Sequence, residues 1–365
     1  MQRLESLDVF RGLTIAGMIL VSTPGTWDAV YPQLEHAAWN GWTLADLVFP
    51  FLLFAMGAAV PFALARRRGV RSVRAHVIRR ASILFALGLL LNAIQTPPPL
   101  SLAMFRIPGV LQRIALVYAA VSWLTERTST RTQIAAAVAA LLGYWAAMRF
   151  VPVPGCGQPS LTAECNIGSF IDRHVFGRHM AYPLWDPEGL SSTAPAIATA
   201  LFGVFAGNWL KEAGARHRTL LLFAAGAVAV LVASAWDRVF PINKNLWTSS
   251  FALFSAGLAA QVLAACHWLL DIHRWRAWSH PFVAFGRNPL AGYFLSVGTD
   301  SILTRWTVSI DHVSLKGFLY RGLFASWLGR CCGTEPASLA YAIAYVALWA
   351  LVLGEMHRRR IYIGI

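Results

Sequence analysis

The chain has 365 residues, 57% of them hydrophobic and only 13% charged, where a soluble domain has about 25% charged residues. That balance excludes a soluble globular protein and indicates an all-α polytopic integral membrane protein, because a chain crossing lipid must satisfy its own backbone. The formal charge of +14 is what Lys and Arg gathered on the cytoplasmic face produce, so no nucleic-acid partner follows from it.

Taken in chain order, the apolar stretches that approach the roughly 20 residues needed to cross a bilayer are 10–24, 43–64, 81–96, 109–125, 133–150, 190–210, 219–236, 247–266, 281–298 and 337–354. They predict a bundle of about ten transmembrane helices, with residues 1–365 forming a single membrane domain. The first stretch follows Arg3 and Arg11 but is trailed by Pro24, Trp27 and Tyr31 rather than by small residues. It is therefore expected to stay as the first span and not to be cleaved as a signal peptide.

Basic residues set the orientation. Arg3 and Arg11, the seven arginines from Arg66 to Arg80, Arg127 and Arg131, Lys211, Arg216 and Arg218, Arg274, Arg276 and Arg287, and Arg358 to Arg360 fall at alternate ends of successive spans. Placing them in the cytoplasm puts both termini there and puts His36 with the long segments 151–189 and 299–336 on the far face. The far-side segments carry Cys156 and Cys165, then Asp300, Asp311, His312 and Lys316, then the adjacent Cys331 and Cys332. A Cys156–Cys165 disulfide is expected if that face is oxidising. Adjacent cysteines rarely meet disulfide geometry, so Cys331 and Cys332 are not expected to pair. No C-x-x-C pair, H-E-x-x-H or G-x-x-x-x-G-K-[ST] pattern occurs, so neither a dedicated metal site nor a nucleotide-driven pump is expected.

Polar chemistry concentrates between the first two spans, in HAAWNGWTLAD. Ionisable groups near membrane depth mark sites by default. His36 is either a headgroup-level histidine in an aromatic belt or a general base or nucleophile. Asp46 follows Thr43 by three residues where a helix should begin, so T-x-x-D reads as a capping box that leaves Asp46 able to orient His36. Asn40 turns the loop or holds a substrate carbonyl. Pro50 should kink the second span. Asp8 and Arg11, spaced i,i+3, share a helix face and can pair. Arg11, with Arg287 and Asn288 in FGRNPL, also suits an anionic phosphate arriving from the cytosol. Arg113 lies inside the fourth span and needs a carboxylate or a cavity. Asp186 and Glu188 in WDPEGLSS, and Asn243, Lys244 and Asn245 in PINKNLWTSS, either cap their helices or offer the carboxylate, amide and ammonium lining that a sugar requires.

The series SLDVFRGLTIAGMILV, HAAWNGWTLADLVFPFLLFAMG, RIPGVLQRIALVY, WDPEGLSSTAPAI, PINKNLWTSSF and FGRNPL resembles the successive signatures of the heparan-α-glucosaminide N-acetyltransferase family in its shorter bacterial form. The resemblance runs in order from about residue 3 to 298, with Ser22 in VSTPG where the family usually carries an asparagine. It implies a bacterial inner-membrane, multi-pass acetyltransferase that takes acetyl from cytosolic acetyl-coenzyme A and places it on the amino group of a glucosamine-type sugar across the membrane. His36 corresponds to the family histidine. On this reading His36, Asp46 and Asn40 carry the chemistry, Asp8, Arg11, Arg287 and Asn288 hold the coenzyme, and Arg113, Asp186, Glu188, Asn243, Lys244 and Asn245 meet the sugar. The partners are the saccharide acceptor and the lipid bilayer, and a homodimer stays open. An O-acetyltransferase of a cell-envelope polysaccharide and a sugar transporter are the alternatives.

Overall fold

Runs of Leu, Val, Ala and Phe too long for a turn and too apolar for water fold as helices. In the computed structural model, residues 4–65, 73–96, 104–211, 215–308 and 313–363 are described. Arg3, the arginines between 66 and 72, and Asp311 and His312 lie outside them. The described residues form α1 (Glu5–Ser22), α2 (Leu44–Ala65), α3 (Val73–Gln95), α4 (Val110–Arg127), α5 (Thr130–Phe150), α6 (Ile167–Phe176), α7 (Thr193–Lys211), α8 (Ala215–Trp236), α9 (Ser249–His267), α10 (His280–Arg287), α11 (Pro289–Arg305), α12 (Leu315–Tyr320), α13 (Leu328–Cys332) and α14 (Thr334–Arg358). Single π-helical turns follow α9 at Trp268–Ile272 and α12 at Arg321–Ala325. Among the described residues β-structure is limited to two isolated bridges, Gly41 with Asn243 and Thr307 with Ser314. The chain is an all-α polytopic membrane protein.

Seven helices among the described residues are long and apolar enough to cross a bilayer: α2, α3, α5, α7, α8, α9 continued through its π turn, and α14. The other three expected spans fall on shorter or more polar helices. α1 carries Glu5, Asp8 and Arg11 in its first half, and α4 holds Arg113, Glu126 and Arg127. The stretch 281–298 is divided at Asn288 into α10 and α11, because Pro289 lacks an amide hydrogen and its ring disfavours helical backbone in the residue before it. α2, by contrast, continues through both Pro50 and Pro61. The segment 151–189, expected as a loop, contains α6, and 299–336 contains α12 and α13. Polar side chains start several helices: Ser129 accepts from the Thr132 amide, Asn166 from Ser169 and Thr248 from Phe251, each satisfying a first-turn donor.

The chain divides into two compact units. The first comprises residues 1–37, 43–48 and 274–364. Within it α1 lies along α10, with α11 and α14 also against α1. A side-chain carbon added at Gly12 would overlap the Phe282 carbonyl, and one at Gly286 would overlap that of Asp8. Small residues thus bring the two backbones into contact. The second unit comprises residues 38–42 and 49–273. Here α8 lies on α9, α3 on α4 and α5 on α7. Its interior includes Trp247, fully buried, which meets Phe49 and Phe251 edge to face. The expected Cys156–Cys165 disulfide is present, and Cys331 and Cys332 are free thiols.

Candidate functional site

In the first unit the sequence TLAD starts α2 and at the same time fixes an imidazole. Asp46 is wholly buried. Its Oδ2 accepts the Thr43 amide at 3.0 Å and the Ala37 amide at 3.1 Å, so one half of the expected capping box forms. The Thr43 hydroxyl does not accept the Asp46 amide; it lies 2.7 Å from the Glu35 carbonyl and 3.2 Å from Asp46 Oδ2, both acceptors for its proton. Asp46 Oδ1 lies 2.8 Å from His36 Nδ1. A carboxylate only accepts, so Nδ1 carries the proton and the lone pair of the ring is left on Nε2. The His36 side chain is 51% exposed while that of Asp46 is 1% exposed. A buried acceptor thereby holds an accessible base or nucleophile in one tautomer, and its negative charge favours an imidazolium formed there.

Asn40 belongs to the second unit, where its Oδ1 accepts from Asn243 Nδ2 at 3.2 Å and the neighbouring Gly41 amide donates to the Ile242 carbonyl at 2.7 Å. Asn243 is fully buried and knits its own loop: Oδ1 accepts the Leu246 amide, and its backbone amide donates to the Thr248 hydroxyl. Asn40 itself is exposed.

Asp186 and Glu188 meet a residue that the sequence reading passed over. Arg106 donates through Nε at 2.9 Å and Nη2 at 2.6 Å to Asp186, and through Nη2 at 2.5 Å to Glu188. Asp186 also accepts the Ala181 and Glu188 amides. Burial works against the Arg106 charge, but Glu188 and Asp186 outweigh it and hold the guanidinium above its usual range. Burial likewise pushes Glu188 up, and Arg106, Lys244 and Arg113 together hold it below the ordinary glutamate value. Arg106 opens the same RIPGVLQR motif that ends in Arg113, which was the available signal.

Arg113 is 1% exposed. Its Nη2 donates to the Gly189 carbonyl at 2.8 Å and to the Ser192 hydroxyl, and the guanidinium lies 5.1 Å from the Trp247 ring. Its Nε and Nη1 have no hydrogen-bond partner among the described residues. Nearby, Asp186 and Asn245 line a cavity of about 10 Å³ together with Tyr144, Asp172 and Ser192, which is room for a water rather than a sugar ring. Asp172, the first residue of DRHVF, accepts the Leu190 amide at 2.8 Å. Burial pushes its carboxyl up to about 6 despite that bond and with the help of the Asp186 charge.

The residues expected to hold the coenzyme are in the first unit. Asp8 and Arg287 line a pocket of about 360 Å³ with Glu5, Arg276, Ser279 and His280. Glu5 is paired with Arg276 at 2.9 Å. Arg287 donates to the Tyr362 hydroxyl at 2.9 Å. Arg11 does not line this pocket; it donates to the Gly286 carbonyl at 3.1 Å and lies 3.8 Å from Asp8. Asn288 is fully buried and occupied at both ends, donating to the Ile361 carbonyl and accepting the Ile363 amide. Among the described residues no three His, Cys, Asp or Glu side chains gather closely enough to hold a metal ion.

Comparison with known proteins extends the resemblance. A family model described as "Domain of unknown function (DUF5009)" matches residues 3–156. The chain is 27% identical to the heparan-alpha-glucosaminide N-acetyltransferase of Homo sapiens over 419 aligned residues and 29% identical to that of Mus musculus over 424. Each alignment covers 99% of this chain, and 59% and 60% of the respective relative. The chain thus spans about three fifths of the length of the curated relatives it matches. The similarity to heparan-alpha-glucosaminide N-acetyltransferases therefore runs along essentially the whole chain and is not confined to a few motifs.

Proposed function

We propose that this protein is a membrane acetyltransferase that moves acetyl from acetyl-coenzyme A to the amino group of a glucosamine-type sugar. The observation that carries the reading is the His36–Asp46 pair, a half-exposed imidazole held by a buried carboxylate at 2.8 Å. It occurs in a chain similar over 99% of its length to proteins named as N-acetyltransferases. In the transfer the amine nitrogen bonds to the thioester carbonyl carbon, the C–S bond breaks, and coenzyme A leaves with its sulfur. His36 Nε2 takes the proton that the amine gives up. Alternatively it first accepts the acetyl group and passes it on. Asp46 keeps the reactive lone pair on Nε2 in either route.

The coenzyme enters from the cytoplasm with its phosphates toward Arg11 and Arg287, the latter in the pocket that Arg276 and His280 also line. Glu5 and Asp8 line the same pocket, so the Glu5–Arg276 and Asp8–Arg11 pairs leave Arg287 as the main phosphate contact. The sugar meets exposed Asn40 and half-buried Lys244, while the buried Asp186, Glu188, Asn243, Asn245 and Arg113 support the surrounding loops. The protein works in a bacterial inner membrane with both termini cytoplasmic.

The test uses detergent-purified full-length protein. Acetyl-coenzyme A should raise its thermal midpoint, and labelled acetyl should appear on the nitrogen of a glucosamine-terminated acceptor. Label on a hydroxyl oxygen would replace the reading by polysaccharide O-acetylation. Stabilisation by a sugar with no response to acetyl-coenzyme A would replace it by transport.

A further inference from the structure

Outside the pocket and the histidine pair, the second unit contains a larger concavity. A cleft of about 510 Å³ is lined by residues of α2, α7, α8 and α9, including Phe54, Phe202, Phe205, Leu222, Ala229 and Trp209. Its floor is tight, because α8 and α9 meet where a side-chain carbon at Gly226 would crowd the Gly257 carbonyl. One end of the cleft is cationic. Trp209 is 42% exposed and is clamped to Arg218 by two hydrogen bonds, Trp209 Nε1 to the Arg218 carbonyl at 3.0 Å and Arg218 Nη1 to the Trp209 carbonyl at 3.3 Å. The Arg218 guanidinium lies over the Trp209 ring at 5.7 Å. Because Leu222 lines the cleft one helical turn beyond Arg218 on α8, the cation sits at the rim. Arg216 lies over Trp268 at 5.0 Å and remains exposed, and Lys211 ends α7. In sequence the stretch 211–218 carries Lys211, Arg216 and Arg218 with Glu212, and Asp271 lies in the π turn that follows α9.

We propose that this cleft is a binding site for one anionic phospholipid, an acyl chain lying along the α7–α8–α9 groove and the phosphate headgroup meeting Arg216, Arg218 and Lys211. The chemistry on the page selects that occupant. An apolar slot in a membrane-embedded unit takes a hydrocarbon chain, a tryptophan at the slot's mouth sits at headgroup level, and basic residues between helix ends hold anionic headgroups. The site is separate from the proposed acetyl transfer and stands whether or not that reading holds.

Native mass spectrometry of the full-length protein, with phosphatidylglycerol or phosphatidylcholine of identical acyl chains added, tests it. One phosphatidylglycerol should be retained at least about fivefold more tightly than phosphatidylcholine, the gain expected from one cation near an anionic headgroup. Arg216→Gln and Arg218→Gln should each remove about that factor for phosphatidylglycerol only, and Ala229→Phe, which fills the groove, should weaken both lipids. Arg216→Gln disturbs no hydrogen bond in the described structure, so it decides the matter should Arg218→Gln fail to fold. Equal retention of the two lipids, or unchanged selectivity in Arg216→Gln, would overturn the proposal in favour of ordinary bilayer contact. Unchanged lipid binding in Ala229→Phe together with conversion of a dimer to a monomer would overturn it in favour of a second copy of the chain.

Discussion

His36–Asp46 and Arg106–Asp186–Glu188 are both charge-assisted contacts to buried carboxylates, yet they are built for opposite ends. In the first, the carboxylate is enclosed and its partner is half in solvent, with one ring nitrogen bound and the other available. In the second, the arginine spreads over two carboxylates and Asp186 also collects two backbone amides. A group with an unused lone pair can accept a proton or an acyl group; one held between buried opposite charges and backbone amides holds structure. The difference separates chemistry from scaffold in residues that look alike in the sequence.

The largest expected effect on stability comes from breaking the closed cluster. Arg106→Leu strands Asp186 and Glu188 without their cation, and removal of one partner from a buried ion pair costs about 3–5 kcal/mol. A fall in the thermal midpoint, with transfer per folded molecule close to the parent's, checks it. If Arg106→Leu folded normally but lost transfer, the cluster would be part of the chemistry and the contrast would collapse.

Next is the orienting carboxylate. Asp46→Asn keeps an acceptor for the Thr43 amide but cannot stabilise an imidazolium, and its NH₂ can donate to Nδ1 and so move the ring proton to Nε2. Transfer should fall by at least about 10–100-fold, and toward about 10⁴-fold where the wrong tautomer predominates. The acetyl-coenzyme A requirement should not change. A loss confined to stability, with full transfer, would reduce Asp46 to a helix cap.

The third effect is a pH dependence of stability. Asp172 is raised from 3.8 to about 6, so between those values the unfolded chain has released a proton that the folded chain retains. Its contribution therefore favours folding least at high pH: stability falls as pH rises from about 4 to about 6 and is level above, by on the order of 3 kcal/mol in the limit. Glu188, held low, contributes with the opposite sign and loses its contribution as pH falls below the ordinary glutamate value. Asp172→Asn should remove the decline between pH 4 and 6, read by thermal midpoints across that range, and leave the acid limb due to Glu188. An unaltered profile in the variant would assign the decline elsewhere.

What the sequence made legible was what local spacing controls. T-x-x-D predicted both a cap and a support for His36, because three residues on a helix start place the Asp46 carboxylate over the Thr43 amide. Pro289 likewise marks the break between α10 and α11, which the apolar run 281–298 conceals. What escaped was long-range. Arg106 finds its acids about 80 residues away, and nothing near it in the chain marks that pairing. Asn288 looked available for a phosphate, yet it anchors the tail at Ile361 and Ile363, a contact that only folding creates. α6 was hidden because a short helix between spans has no membrane-length signal, though Asn166 caps it in the ordinary way.

The account rests on His36, and the most direct test measures acetyl transfer and coenzyme binding together in His36→Ala. The imidazole is half exposed and its only described partner is Asp46, so truncation should leave the fold and acetyl-coenzyme A binding largely intact. Transfer should fall by about 10²–10⁴, the usual loss for a positioned acid–base group, or by more if the ring carries the acetyl group. Transfer at near the parent rate in His36→Ala would contradict the account and leave the residue an interfacial histidine.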